Sequence, residues 1–279
     1  MNNFCIITNE CKDKGLRITK RLMEYILKKG GTATAFQCSE QKEPRIAVRD
    51  IPQDTQVILV LGGDGTLIRV ATQVEDIGIP MLGINLGTLG YLCELEVDQI
   101  HTAIDRLMAD EFMVEERMML GGIGEDGKRL CTALNDIVIH RMGNLSILRL
   151  KVYVNGEYLC TYNADGVIVA TPTGSTGYNM SAGGAIVEPK AKLLLLTPIN
   201  AHSLGARGIV LDADDFVEIE IDCRRAQKDE RAGVVCDGDF IMTMGVGERF
   251  AITRAANTIK ICKLNKESFL EIMRKKMED

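Results

Sequence analysis

The 279-residue sequence contains no tryptophan, and aromatic residues make up only 5% of it. Aliphatic side chains and the 13 methionines must therefore fill the core. Positive charge is also outweighed by negative charge, because the formal net charge is −6. A continuous basic surface of the kind that binds nucleic acid is therefore not expected.

The chain has no pair of cysteines spaced as Cys-x-x-Cys, and it has only three histidines. This scarcity argues against a structural zinc module. The nine cysteines are an odd number, which argues against a framework of disulfides. We expect reduced and mostly buried thiols, as in cytosolic proteins.

The sequence also lacks the features of a targeting segment or a membrane span. Its first ten residues contain neither a basic stretch nor a long apolar stretch, so they do not resemble a signal peptide. Residues 166–187 carry no charge, but they include Pro172 and five glycines and fail the apolarity test for a span. We expect a soluble, cytoplasmic protein.

The first third of the chain alternates strand-like and helix-like segments. Helical spacing of apolar residues is found at 18–26, 67–74 and 100–108. Short apolar runs typical of buried strands are found at 4–7, 32–36, 56–61 and 80–85. This order predicts an α/β domain over residues 1–112, with a parallel sheet and helices on its faces.

Near residue 112 the pattern changes to one typical of antiparallel strands. Residues 148–154 alternate apolar and polar, and Asn155-Gly156 follows as a tight hairpin turn. Asp126-Gly127 and Asp237-Gly238 are similar turn signals. We predict an all-β domain over 113–264. A helix that Asn265 can cap is predicted over the remaining residues, 265–279.

The most informative local feature is Gly62-Gly63-Asp64-Gly65-Thr66, which lies between a predicted strand and a predicted helix. The glycines permit close approach of a ligand, and the helix start offers N–H groups to a phosphate. No Lys-Ser/Thr pair follows, so the segment is not a Walker A loop. Asp64 would repel phosphate unless it contacts a hydroxyl nucleophile or a magnesium ion. The alternative is a hairpin turn built on Asp64-Gly65.

This motif resembles the glycine-rich turn shared by NAD kinases, diacylglycerol and sphingosine kinases, and phosphofructokinases. Further segments resemble NAD kinases specifically and occur in the same order along the chain. They are Gly83-Ile84-Asn85 with Gly87-Thr88-Leu89-Gly90-Tyr91-Leu92, Leu134-Asn135-Asp136, Ala164-Asp165-Gly166, the long segment 171–184, and segment 198–211 with His202-Ser203-Leu204.

The resemblance implies a Rossmann-like, phosphate-donor-binding domain over 1–112, completed by a C-terminal helix at 265–279 that packs back on it. It implies a β-sandwich-like, NAD-binding domain over 113–264. The implied activity is transfer of a phosphoryl group from ATP, or another donor, to the 2′-hydroxyl of the adenosine ribose of NAD. A divalent metal, Mg²⁺, is the implied cofactor. In the family the site lies between domains and is completed by a neighbouring subunit, so a homodimer or homotetramer is implied.

The resemblance also implies roles for individual residues. Asp64 would accept the proton of the 2′-hydroxyl, and Asn135 with Asp136 would bind the hydroxyls and adenine of one nucleoside. Gly62, Gly63, Gly65 and Thr66 would form the phosphate-binding turn. The other implied substrate-binding residues are Gly65, Asn163, Asp165, Thr176, Gly177, Tyr178, Asn179, Met180 and Ser181, with Tyr91 and Asp239 as additional candidates.

Two alternative functions remain open at this point. The Gly62–Thr66 motif alone would also suit a lipid kinase of the diacylglycerol or sphingosine type. Two departures would suit a non-enzymatic, NAD-responsive regulator: Asp136 stands where the family commonly has Glu, and Asn163 stands where many relatives have Arg. Without that arginine, the phosphoryl donor could be ATP, another nucleotide or polyphosphate.

Overall fold

Two compact units make up the chain in the computed structural model. Unit 1 comprises Met1–Glu116 and Thr258–Asp279, and unit 2 comprises Arg117–Asn257. The structure describes residues 1–38, 48–87, 90–93, 95–143, 147–203, 205–222, 230–264 and 268–278. Thr88, Leu89, Leu204 and the predicted cap Asn265 therefore lie outside the described residues.

Unit 1 contains a parallel sheet with helices, as the alternating sequence pattern predicts. Its strands occur in the order β2-β1-β3-β4 and are mutually parallel. The elements between residues 3 and 108 are β1 (Asn3–Asn9), α1 (Arg17–Lys28), β2 (Thr32–Cys38), β3 (Val57–Gly62), α2 (Asp64–Gln73), β4 (Met81–Asn85), β5 (Leu95–Glu96) and α3 (Ile100–Met108).

The continuous apolar runs of β3 and β4 are explained by their burial, because every residue of both strands is buried. Helices α1 and α3 pack their apolar faces against the same core, through residues such as Leu22, Ile26 and Ile104. Strands β1, β3 and β4 end at Asn9, Gly62 and Asn85. Since parallel strands share one carboxyl edge, the segments that follow them start at the same edge of the sheet.

Unit 2 is built from antiparallel strands. The elements from residue 113 onwards are β6 (Met113–Ile123), β7 (Arg129–Ala133), β8 (Asp136–Arg141), β9 (Leu148–Val154), β10 (Glu157–Ala164), β11 (Gly166–Ala170), α4 (Tyr178–Ser181), β12 (Leu193–Ile199), β13 (Ile209–Asp212), β14 (Val217–Ile221), β15 (Arg231–Cys236), β16 (Asp239–Gly245), β17 (Arg249–Lys263) and α5 (Phe269–Glu278). The last residues of β17 and all of α5 belong to unit 1.

One sheet of unit 2 has the strand order β13-β12-β11-β8-β15-β16, and the other includes β10-β9-β14-β17 and the β6–β7 pair. Apolar residues from both sheets share a single core, including Val152 of β9, Val169 of β11 and Phe250 of β17. This is the packing of a β-sandwich, so the predicted fold class is confirmed.

The three predicted turns join consecutive antiparallel strands and are confirmed. Asn155-Gly156 connects β9 to β10, with φ of 52° and 82°, and Asp237-Gly238 connects β15 to β16, with φ of 46° and 87°. Left-handed backbone at both positions is what a two-residue hairpin requires. None of the helices in the described part of the chain is both long and apolar enough to cross a membrane.

Candidate active site

The glycine-rich turn joins β3 to α2, so the hairpin alternative for this segment is wrong. Gly62 ends the strand, Gly63 has an extended backbone, and Asp64 is the first residue of the helix. A Cβ atom on Gly62 would collide with the side chain of Thr66, so only glycine fits there. The turn therefore presents the N-terminus of α2 at the carboxyl edge of the sheet.

The carboxylate of Asp64 is fixed by three backbone amides. The N–H of Tyr91 donates to Oδ2 at 2.6 Å, and the N–H groups of Leu92 and Cys93 donate to Oδ1 at 3.1 and 2.9 Å. A Cβ atom on Gly90 would collide with the same carboxylate. The segment 90–93 thus closes around Asp64, and glycine at position 90 makes that approach possible.

This arrangement leaves Asp64 able to accept one more hydrogen bond. A carboxylate has about four acceptor positions, and three of them are used here. Oδ2 receives one of the three amide bonds and Oδ1 receives two. The remaining capacity is therefore on Oδ2.

Two cationic side chains lie close to this turn and to the segment that holds Asp64. The Nζ of Lys12 is 3.0 Å from the position that a Cβ atom would take on Gly63. The Nζ of Lys276, in α5, is 4.5 Å from the ring centre of Tyr91. Tyr91 thus contributes its amide to Asp64 and its ring to α5. Both cations belong to unit 1, as Asp64 does.

In unit 2 the structure brings Asn135, Asp136 and Gly177 together. A Cβ atom on Gly177 would be 3.5 Å from Nδ2 of Asn135 and 3.9 Å from Oδ2 of Asp136. Thr171 fixes the same turn, because its N–H donates to the carbonyl of Asn135 at 2.8 Å. A Cβ atom on Gly174 would collide with the backbone of Asn135. The long segment 171–184 therefore packs directly against the Asn135-Asp136 pair.

The side chain of Asp237 fixes the backbone of the Asn135-Asp136 pair. Its carboxylate accepts the N–H groups of Leu134, Asn135 and Asp136 at 2.6, 2.9 and 3.0 Å. Sequence reasoning identified Asp237-Gly238 only as a turn and missed this role. The turn signal places an aspartate at a hairpin end, but its partners are about one hundred residues away in sequence.

The two carboxyl groups of this cluster have raised pKa values. Burial, with a further contribution from the charge of Asp237, raises the pKa of Asp136 to about 7. Burial also raises the pKa of Asp237 to about 6, against the opposing effect of its three amide donors. Asp239, at the start of β16, adds to the rise in the pKa of Asp237. A protonated carboxyl at this position is therefore accessible near neutral pH.

The loop at 173–184 has an ordered interior and an exposed outer face. Asn179 is completely buried. Its Nδ2 donates to the carbonyls of Ser175 and Ala185 at 3.3 and 3.0 Å, and its Oδ1 accepts the hydroxyl of Thr197 at 2.7 Å. Its polar atoms are therefore satisfied within unit 2.

The residues next to Asn179 in the loop are more exposed to solvent than Asn179 is. Tyr178 and Met180 are 46% and 40% exposed, and Ser181 is also exposed. Thr176 is half-buried, and its hydroxyl lies 3.4 Å from the carbonyl of Thr173. Gly177 is half-buried too, so of the predicted loop residues all except Asn179 have surface available to a ligand.

Asp165 and Asn163 lie apart from the Asn135-Asp136 pair. Strands β8 and β11 pair so that Asp136 is opposite Ala170 and His140 is opposite Gly166. The five strand residues from Asp136 to the level of Asp165 span about 16 Å. Asp165 therefore stands at the opposite end of this strand pair from Asp136. Asn163 is in β10, and its carbonyl accepts the N–H of His202, shortly after β12, at 2.8 Å.

Asp165 has partners that the sequence did not suggest. Its Oδ1 forms an ion pair with Nε of Arg141 at 2.9 Å, and its Oδ2 accepts Nδ2 of Asn200 at 3.1 Å. Arg141 follows directly after His140 in β8, and nothing in its sequence context marks it as part of a site. The charge of Asp165 is therefore balanced by a cation within unit 2.

Comparison with known families decides between the open alternatives. The model of the ATP-NAD kinase N-terminal domain matches residues 4–112, and the model of the ATP-NAD kinase C-terminal domain matches residues 134–264. The chain belongs to the ATP-NAD kinase family. As a member of this family it is a phosphotransferase, and neither the lipid kinase nor the regulator alternative is favoured.

Similar proteins of the ATP-NAD kinase family match the chain over its full length. The NAD kinase of Agathobacter rectalis is 57% identical over 279 residues, which cover 99% of each chain. The NAD kinase of Lachnoclostridium phytofermentans is 40% identical over 284 residues, which cover 100% of each chain.

Solved structures of ATP-NAD kinase relatives share the fold. Yeast NADH kinase, solved in complex with NADH, has a TM-score of 0.87 and 23% identity, covering all of this chain and 88% of that one. An NAD kinase from Archaeoglobus fulgidus, solved in complex with ATP, has a TM-score of 0.79 and 22% identity, covering 99% and 98% of the two chains. The two-unit architecture is thus that of the ATP-NAD kinase family.

Proposed function

We propose that the chain transfers the terminal phosphoryl group of ATP to the 2′-hydroxyl of the adenosine ribose of NAD, giving NADP. The observation that carries this proposal is the Asp64 carboxylate. It stands at the N-terminus of α2, it is fixed by three amides, and its Oδ2 can accept one further hydrogen bond. A sugar hydroxyl is the donor that this oxygen would receive.

In the proposed reaction the 2′-oxygen attacks the terminal phosphorus of ATP. The bond from that phosphorus to its bridging oxygen breaks, and ADP leaves. The hydroxyl proton passes to Oδ2 of Asp64 and from there to solvent. Because phosphoryl transfer depends mainly on positioning and charge neutralisation, Asp64 orients the hydroxyl first and takes its proton late.

The nucleoside is proposed to bind at the Asn135-Asp136 pair. Oδ1 of Asn135 is buried and has no hydrogen-bond partner within the part of the chain that the structure describes. An orphaned amide oxygen suits an N–H donor such as the exocyclic amine of adenine. Asp136 would accept a ribose hydroxyl, and Gly177 would permit the approach of both. Tyr178 supplies an exposed ring that can lie against a base.

The second group of predicted residues suggests an oligomer. Asp165, which belongs to this group together with Asn163, stands about 16 Å along the strands from Asp136, so one adenosine cannot contact both aspartates. We propose a homodimer or homotetramer in which these residues of a second copy bind the nicotinamide part of the dinucleotide. Tyr91 and Asp239 remain additional candidates for contact with NAD.

We also propose that the donor binds together with a magnesium ion. The described residues contain no group of three or more His, Cys, Asp or Glu side chains that could hold a metal ion. Mg²⁺ does not need such a cage, because it commonly uses one or two carboxylates and the phosphates of its substrate. The ion would be held by donor phosphates beside Asp64, where it supplies charge neutralisation.

The direct test is to incubate the purified protein with MgATP and NAD and to measure NADP with an NADP-specific dehydrogenase. The position of the new phosphate is read by ³¹P NMR, which separates the 2′- and 3′-esters. We expect NADP that depends on both substrates. A folded protein that makes no NADP from NAD or NADH with ATP, other nucleoside triphosphates or polyphosphate would falsify the proposal.

A further inference from the structure

A cavity of about 370 Å³ opens in unit 1 between the start of α1 and the start of α3. Four cationic side chains line it, and they are Lys12, Lys14, Arg17 and Arg21. His101 lies on the opposite wall, where its ring stacks on Tyr25. The volume is within the range of small-molecule sites in proteins. The charged part of the lining is thus mainly positive, with four cations and one carboxylate, although the chain as a whole is negative.

These four cations are available to a ligand. Within the described ranges, no ion pair joins Lys12, Lys14, Arg17 or Arg21 to an acidic side chain, and all four are exposed. Arg17 and Arg21 are one helical turn apart, so they lie on the same face of α1, with their Cβ atoms about 6 Å apart. Arg17 also stands at the N-terminus of α1, where the helix dipole adds positive potential.

The carboxylate in the cavity wall, Asp13, does not neutralise these cations. It is 2% exposed and is used to build the start of α1. Its Oδ1 accepts the N–H of Ile18 at 3.0 Å, and its Oδ2 accepts the N–H and hydroxyl of Thr19 at 2.9 and 2.7 Å. Although burial opposes the shift, these hydrogen bonds lower the pKa of Asp13. The oxygens of Asp13 are therefore hydrogen-bonded to the first turn of α1 and not to the cations of the cavity.

The row of cations begins at the glycine-rich turn. Nζ of Lys12 lies 3.0 Å from the Cβ position of Gly63, and Lys12 also lines the cavity. Lys14, Arg17 and Arg21 continue from this point along the start of α1. A ligand that contacted all four cations would be elongated and negative along its whole length, with one end beside Gly63.

We propose that this cavity binds a linear chain of condensed phosphates, and that Lys12 holds one end of the chain at the glycine-rich turn. This inference rests on the proposed function and names the chemistry of its donor. Two sources share that chemistry: the triphosphate of a donor nucleotide and inorganic polyphosphate. Arg17 and Arg21 then set affinity for the phosphate chain, since guanidinium groups bind phosphate through paired hydrogen bonds.

The test uses inorganic tripolyphosphate as the probe and isothermal titration calorimetry on the full chain. The double variant Arg17→Gln/Arg21→Gln removes two cations from the cavity. Its matched control, Lys20→Gln/Lys28→Gln, removes two exposed cations of the same helix that do not line the cavity. We expect the cavity variant to weaken binding about tenfold and the control to weaken it less than about twofold.

Absence of saturable tripolyphosphate binding to the wild type would overturn the proposal. So would equal weakening in the two double variants, because binding would then follow net charge and not the cavity. Circular dichroism of both variants verifies that α1 is still formed. If the cavity variant were unfolded, the single variants Arg17→Gln and Arg21→Gln would each be expected to weaken binding about threefold.

Two further measurements distinguish a nucleotide triphosphate from inorganic polyphosphate, and the cavity proposal from the proposed function. Competition between ATP and tripolyphosphate, with a raised KM for ATP in the cavity variant, assigns the cavity to the nucleotide triphosphate. Binding of tripolyphosphate that saturating ATP leaves unchanged assigns it to inorganic polyphosphate. NADP synthesis by the wild type is measured separately, so failed turnover with intact tripolyphosphate binding counts against the proposed function and not against the cavity.

Discussion

Asp136 and Asp237 form a reciprocal pair of hydrogen bonds. The N–H of Asp136 donates to Oδ1 of Asp237 at 3.0 Å, and the N–H of Asp237 donates to the carbonyl of Asp136 at 3.0 Å. Asp136 begins β8, and Asp237 follows the paired strand β15, so two acidic residues far apart in sequence are joined although their carboxylates repel. The arrangement fixes the direction of the Asn135-Asp136 turn by backbone geometry. Burial raises the pKa of both carboxyl groups, and the charge of Asp237 raises the pKa of Asp136 further.

Replacement of Asp237 by Asn is expected to weaken NAD binding more than it slows turnover. The new amide group would face one of the three N–H donors of residues 134–136, so at least one hydrogen bond is lost and the turn moves. We expect KM for NAD to rise about tenfold, with kcat changed less than about threefold, in steady-state kinetics with NAD varied.

Asp126→Asn is the matched control, because Asp126 stands in another Asp-Gly hairpin turn of unit 2 and its pKa is shifted by its neighbour Lys128. Its kinetic constants should stay near those of the wild type. Equal values of KM for wild type and Asp237→Asn would show that Asp237 does not position the nucleoside site.

The stability of the protein should depend on the charge of Asp136. Its folded pKa, about 7, is above its ordinary value of 3.8. Its favourable contribution is therefore complete below about pH 4 and is lost as the pH rises through about 7. Relative to Asp136→Asn, the free energy of unfolding of the wild type should fall by up to roughly 4 kcal/mol across this window. Urea denaturation at several pH values measures the difference, and parallel curves would contradict the assignment.

Asp64→Asn should lose turnover while it retains NAD binding. The amide keeps one acceptor oxygen but cannot take the hydroxyl proton, and its NH₂ group faces one of the amides of residues 91–93. We expect kcat to fall at least 10²-fold, with the Kd for NAD within about threefold by calorimetry. Near-normal kcat would exclude Asp64 from the chemistry.

Gly90→Ala should disturb the same carboxylate without changing a polar group. The added methyl would collide with Asp64, so either the side chain or the segment 90–93 must shift. Displacement of a reacting group by about 1 Å can cost about 10² in rate. Gly87→Ala is the matched control, because within the described residues, chain neighbours aside, no atom lies within 4 Å of its new methyl. Similar kcat values for the two variants would contradict the close packing described for Gly90.

Much of the fold could be predicted because local patterns and tertiary structure agree. The run at 56–61 is continuous and apolar because β3 is buried on both faces, and residues 148–154 alternate because β9 has one face in the core. Hairpin turns at Asn155-Gly156 and Asp237-Gly238 require left-handed backbone, which these residue types adopt readily. In such segments the sequence and the packing impose the same constraint.

The site was less accessible to sequence reasoning, because its contacts join residues far apart in the chain. Asp237 reaches a turn about one hundred residues earlier, and Asp64 is fixed by amides almost thirty residues later. Every residue except proline has a backbone N–H group, so the amides that bind Asp64 and Asp237 cannot be recognised from a sequence motif. Arg141 and Lys12 were missed for a similar reason: each is an ordinary surface cation until the fold places it beside Asp165 or Gly63.

The buried amide of Asn179 has a consequence for the kinetics of association. Because it ties Ser175, Ala185 and Thr197 together, the nearby loop is rigid before a dinucleotide arrives. Little conformational entropy is then lost in the encounter, and the bound shape does not have to be selected from many others. Rapid mixing should accordingly show a single exponential whose rate rises linearly with NAD concentration, without a slow ordering phase.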